Sequence, residues 1–102
     1  MRLKMTRSSG NVFRDLGFSA REAEHLRVRS LLMAHLRKVI EGRRLTQRQA
    51  AALLGVTQPR VSDLARGKIE RFSIDALVAM LASAGVRVQI AVAPHRRRAG
   101  AA

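Results

Sequence analysis

Four polar side chains crowd into one short run, Gln58, Arg60, Ser62 and Asp63 within TQPRVSDLARGK, and their types match the edges of base pairs. A glutamine presents a donor and an acceptor together, as adenine requires; an arginine forks onto guanine O6 and N7; an aspartate accepts from cytosine N4. Asp63 has a competing use as a local orienter of Arg60 or Arg66, and both uses stay open at this stage. Pro59, Ser62, Asp63 and Arg66 project outward if the run is helical, with Gln58 and Arg60 on the flanks. Arg66, Lys68 and Arg71 follow immediately, placed to grip backbone phosphates, a contact that adds affinity but no sequence information.

Such side chains read a groove only if a rigid element carries them there. The preceding residues spell one: Thr46 and Gln49 form a capping box that opens a helix at Gln47. Ala50, Ala51, Leu53 and Leu54 make its apolar side, and small Ala51 lets a second helix cross closely. Gly55 ends the helix, since the residue past the last turn often needs a positive φ that glycine adopts without steric cost. Val56 fills the corner. Thr57 is a cap for the next helix, and Pro59 is tolerated in a first turn whose N–H groups lack intrahelical partners. Val61 and Leu64, three apart, turn inward. Two short helices joined by a tight turn make a helix-turn-helix, and its expected ligand is duplex DNA.

Composition supports a polyanionic partner. The chain has 102 residues, 20 basic and 7 acidic, for a formal net charge of +13. That exceeds what solubility requires and fits nucleic acid better than a membrane surface or an acidic protein. The length suits one domain with tails. With no cysteine there is neither a disulfide framework nor a thiolate metal site. No apolar run reaches the ~20 residues of a membrane span, and MRLKMTRSSG lacks the apolar stretch of a secretory signal. The expected location is the cytoplasm, in association with the nucleoid. Phe13, Phe18 and Phe72 are the only aromatics, a poor supply of stacking platforms for single strands or RNA.

The remaining segments read as follows. Residues 1–12 are a flexible basic arm in which Arg2, Lys4 and Arg7 could follow a groove and Ser8 to Gly10 act as a hinge. Met1, Leu3 and Met5 alternate like a short edge strand, although frayed ends are the commoner outcome at a terminus. Phe13, Leu16 and Phe18 form an apolar cluster. Ser19 and Glu22 make a second capping box for a helix running to about Glu41, before Gly42. Val28, Leu31, Leu32, His35, Leu36 and Val39 are placed on its core face, and Leu26, Met33 and Ile40 on a second face covered by the Phe13–Phe18 cluster. Ser73 caps a last helix that buries Ile74, Leu77, Val78 and Leu81 and ends at Gly85. Val86 to Val92 then alternates with period two. A lone strand needs a partner, and the economical one is the same strand of a second copy, which makes Val86, Val88, Ile90 and Val92 dimerisation residues. Residues 94–102, with Arg96 to Arg98, are a basic disordered tail. His35 has no His, Cys or carboxylate at ligand spacing and reads as a core histidine. No nucleophile with its base, paired carboxylates or phosphate-cradling glycine loop is present. No enzyme, no metal and no cofactor are expected.

From about Leu31 to Ala84 the chain resembles the Xre/Cro family of phage-repressor-like helix-turn-helix domains, with LLGVTQPRVSDLARGK as the matching motif. With NVFRDLGFSAREAEHL, FSIDALVAMLASAG and VRVQIAV included, nearly the whole chain is similar to the HigA-like antitoxin subgroup. The resemblance implies that Gln47 and Arg48 meet phosphates, with Thr57 joining them, while Gln58, Arg60, Ser62 and Asp63 face the major groove. Pro59 replaces what is often a polar reader. It also implies a protein toxin as partner. Family toxins are typically basic, so contact with so basic a chain would be apolar, through Val12 to Phe18.

The combined expectation is an all-α, five-helix DNA-binding domain over residues 13–85, with residues 86–93 as an inter-protomer strand. Its function would be that of a sequence-specific repressor, autoregulating within a toxin–antitoxin pair. The alternatives are a stand-alone Xre-type regulator or a primarily toxin-neutralising protein.

Overall fold

The computed structural model describes residues 2–5 and 12–94. Arg7, Ser8 to Gly10 and Arg96 to Arg98 therefore lie outside the described residues. The order of elements is β1 (Arg2–Met5), α1 (Val12–Asp15), α2 (Ala20–Gly42), α3 (Gln47–Leu54), α4 (Gln58–Ala65), a 3-10 turn (Ile69–Arg71), α5 (Ile74–Ser83) and β2 (Arg87–Ile90).

Three helices start at caps that the sequence announces. The Ser19 hydroxyl accepts from the Glu22 N–H at 3.2 Å, and Ser73 Oγ from the Ala76 N–H at 3.1 Å. At α3 the box is complete, with Thr46 Oγ1 accepting from Gln49 N and Gln49 Oε1 accepting from Thr46 N. Each cap satisfies orphan donors of a first turn and fixes where the helix begins.

The core gathers α2, α4, α5 and the segment after the 3-10 turn. Phe72, Leu32, Leu36, Leu64, Leu77 and Leu81 are its largest fully buried side chains. On α2 the buried face differs from the sequence expectation. Met33 is buried with Leu32, Leu36 and Val39, and Ile40 packs against them, whereas Leu31 is exposed. At about 100° per residue, Leu31 points roughly 140° away from Leu36, while Met33 and Ile40 flank it. Met33 and Ile40 thus share one broad face with the first stripe, because α2 is covered by α4, α5 and the 3-10 turn together, while Leu26 lines a groove with Phe18. The apolar cluster at the start packs α1 against α2 with Phe13 and Phe18 edge to face at 6.3 Å, yet Val12, Leu16 and Phe18 stay exposed.

Gly42 remains inside α2, and the left-handed conformation falls two residues later, on Arg44 with φ 52°. Within the chain, β2 has a partner that the sequence reading did not assign to it. β2 pairs in parallel with β1 of the same chain, in the register Arg2 with Arg87, Leu3 with Val88, Lys4 with Gln89 and Met5 with Ile90. Residues 2–5, expected within a flexible arm, form a strand, and β2 is not the lone strand that an inter-protomer pairing was invoked to satisfy. Parallel strands cannot be joined by a hairpin and need a long crossover. Here the helical body between them serves as that crossover.

Candidate nucleic-acid interface

The helix-turn-helix unit is assembled by local chemistry. Gly55 adopts φ 70° and ψ 34°, and its N–H donates to the Ala51 carbonyl, as does that of Val56. This left-handed residue turns the chain within three residues from the end of α3 to Thr57, the extended residue before α4. Ala50 and Ala51 pack on Val61 of α4, with Ile40, Leu45 and Val56 around them, so the small residues sit at the crossing point. Leu54 and Leu64 anchor the two helices into the main core.

The first turn of α4 departs from expectation at one atom. The Thr57 side chain makes no cap hydrogen bond; its carbonyl accepts from Arg60 and Val61 instead. Pro59 removes the second N–H of the first turn, while the Arg60 N–H, at the position that the other three caps use, goes to the Thr57 carbonyl. Thr57 is exposed.

The expected contact residues fall into two groups. Gln47 and Arg48 at the start of α3, and Thr57, Gln58 and Pro59 at the start of α4, are exposed, as is Arg66, which closes α4. Ser62 is half-buried. The second group is tied together. Arg60 lies with its Cζ 4.1 Å from the centroid of the Phe72 ring, and its Nη1 donates to the Arg71 carbonyl at 2.7 Å. Asp63 accepts from Arg71 Nη1 at 3.2 Å, and Lys68 Nζ stands 3.8 Å from its other oxygen. Of the orienting uses foreseen for Asp63, its partners are Arg71 and Lys68 rather than Arg60 or Arg66.

This unit carries positive charge at about the density of the chain as a whole. From Gln47 to Arg71 the basic residues are Arg48, Arg60, Arg66, Lys68 and Arg71, against Asp63 and Glu70. Some of the chain's arginines are structural: Arg29 Nη1 donates to the Ile69 carbonyl, which also accepts from the Phe72 N–H, and Arg43 Nη2 donates to the Ala84 carbonyl at the end of α5. Nothing in the sequence separates these arginines from those facing solvent. Phe72 as a platform for Arg60 was likewise not foreseen.

The remaining expected residues disperse. Val86 is buried in the core, Val88 is half-buried, and Ile90 and Val92 are exposed. His35 is half-buried on α2; burial, with the Lys38 charge adding to it, lowers its imidazole below the ordinary value of 6.5. Among the described residues no group of three or more His, Cys, Asp or Glu is placed to hold a metal ion, and no helix is long and apolar enough to cross a membrane.

Comparison with known proteins agrees with this geometry. The family described as helix-turn-helix domain matches residues 12–93. A solved structure assigned to the XRE family of transcriptional regulators superposes with a TM-score of 0.69 at 37% identity, over 79% of this chain and 91% of the other. No protein of curated function matches significantly. By the match along residues 12–93 and the superposition over most of both chains, the chain belongs to the XRE family of helix-turn-helix regulators.

Proposed function

We propose that this protein is a repressor that binds a specific double-stranded operator through α4. The observation that carries this reading is the left-handed Gly55 turn, which brings exposed Gln58 and Pro59 to the tip of a helix flanked by Arg48, Arg66, Lys68 and Arg71. A helix of this kind fits the ~12 Å major groove, and cations on both sides can neutralise the strands that border it. The protein acts in the cytoplasm, on the nucleoid.

The repressor binds as a homodimer, with two copies of α4 about 34 Å apart on a pseudo-palindromic site. Ile90, at the end of β2, and Val92, just past it, support this, because both are exposed and leave apolar surface for a second copy to cover. Its physiological setting is a toxin–antitoxin pair in which it represses its own operon. The exposed apolar side chains of Val12, Leu16 and Phe18 are of the kind that would meet a protein toxin without relying on charge.

Duplex binding is tested by titrating the chain against the DNA upstream of its own reading frame and against a shuffled duplex, across a salt series. The expected result is preference for the upstream DNA and a log–log salt slope of about −0.9 per phosphate contacted. Equal affinity for both duplexes would overturn the reading. Co-expression with the adjacent reading frame tests the toxin, through recovery of a second small chain.

A further inference from the structure

We infer that Arg60 and Asp63 are positioning residues that hold Arg71 and Lys68 toward the phosphates, and that choice of sequence by α4 rests on Gln58, Pro59 and Ser62. This rests on the reading that the chain binds duplex DNA.

Arg60 has the side chain type that most often reads guanine, by two parallel N–H bonds to O6 and N7. Its guanidinium is already engaged on both counts. One face lies over Phe72, a ring that is only 1% exposed, and Nη1 is committed to the Arg71 carbonyl. To reach a base, Arg60 would surrender a short hydrogen bond and its stacking, and uncover a core ring. Where it lies, it ties the first turn of α4 to the end of the 3-10 turn.

Asp63 completes the clasp from the next turn of α4. Its side chain is 16% exposed and faces two cations, Arg71 and Lys68. Its backbone carbonyl also accepts from the Lys68 N–H at 3.1 Å. A carboxylate reaching for cytosine would have to leave both cations and approach the phosphate backbone's negative potential. Held in place, it instead narrows the freedom of two long side chains that remain accessible, Arg71 at 55% and Lys68 at 33%. Restricting those rotamers before binding reduces the entropy lost when they engage phosphates.

The experiment selects binders of the full chain from a random-sequence duplex library and measures affinities for the selected duplex and for near variants. Arg60→Ala and Asp63→Asn are expected to weaken binding by about tenfold across all sequences, the size of one charge-assisted contact, with base preference unchanged. Gln58→Ala is expected to relax preference at one base pair. In an Arg71→Ala, Lys68→Ala background, Asp63→Asn is expected to have no further effect, because the residues it positions are gone. Relaxed preference at a single base pair in Arg60→Ala or Asp63→Asn would overturn the inference, and so would an undiminished effect of Asp63→Asn in that background. Should Arg60→Ala fold poorly, as thermal melting would reveal, Arg60→Lys and the Asp63 cycle decide. A wild-type chain that selects no sequence sinks the DNA-binding reading itself, a result distinct from either of these.

Discussion

The Arg60 guanidinium sits 4.1 Å above the centre of the Phe72 ring while its Nη1 donates to the neighbouring Arg71 carbonyl. One side chain of α4 therefore holds the segment that follows the helix by two different forces. Because Phe72 is buried, the ring is fixed by the core and Arg60 conforms to it.

Replacing Phe72 by Leu keeps an apolar side chain in the core but removes the π face. The smaller side chain leaves a void with a core cost of its own, which a double-mutant cycle cancels, and a cation–π contact at a partly exposed site contributes about 0.5–1 kcal/mol. In urea denaturation, Arg60→Ala should therefore cost less in the Phe72→Leu protein than in the wild type, by about that amount. Strict additivity of the two substitutions would show that the stacked geometry contributes nothing to stability.

Gly55 makes the placement of α4 depend on one backbone conformation. An L-residue at φ 70° costs about 1–2 kcal/mol, and a Cβ there would lie 3.3 Å from Ser83 Oγ. That hydroxyl sits on a small side chain able to give way, so the strain is mainly torsional. Gly55→Ala should lower Tm by roughly 4–8 °C for each kcal/mol lost, and adding Ser83→Ala should restore little of it. Full recovery in the double variant would mean that the Ser83 contact, and not the dihedral, sets the cost.

The turn was legible in the sequence because its signals are local. Thr46, Gln49, Gly55, Val61 and Leu64 each act within one or two helical turns, and hydrogen bonds of that span leave fixed residue spacings. What lay between distant segments was not legible. The pairing of Leu3 with Val88 joins residues whose separation no spacing rule reaches, and alternation at Val86 to Val92 reveals a strand without naming its partner. The Arg60 clasp depends on how the 3-10 turn folds back, so Asp63 could be seen as an orienting residue while its partners could not. On α2, a face wide enough to take Met33 and Ile40 followed from how many elements cover that helix, which periodicity alone does not state.

His35 gives the fold a dependence on pH. Burial first, and the Lys38 charge second, lower its pKa in the folded chain, so between the folded and unfolded values the unfolded chain binds more protons. Stability must then fall as pH drops through the unfolded value near 6.5 and on through the lower folded one, and be fully present above 6.5. An NMR titration should give His35 a midpoint below the ordinary value of 6.5. His35→Gln should flatten the fall of Tm with acidity over the same window. A His35 midpoint above 6.5 would reverse the sign and remove the argument.

The parallel pairing of β1 with β2 separates two origins for the sheet. If both strands belong to one chain, as the register of Arg2–Met5 on Arg87–Ile90 has it, closing the sheet is a unimolecular step, and protection of its amides from exchange should not change with protein concentration. A ladder between copies obeys mass action, and its protection would fade on dilution. Val88→Pro strengthens the comparison, because proline fixes φ near −65° and removes the N–H. Protection at residues 2–5 should then be lost while the helices, whose core is built from Leu32, Leu36, Leu64, Leu77 and Leu81, keep theirs. Concentration-independent protection in the wild type, lost in Val88→Pro without a change in the helical amides, is the expected outcome. Fading on dilution would move β1 onto a second copy.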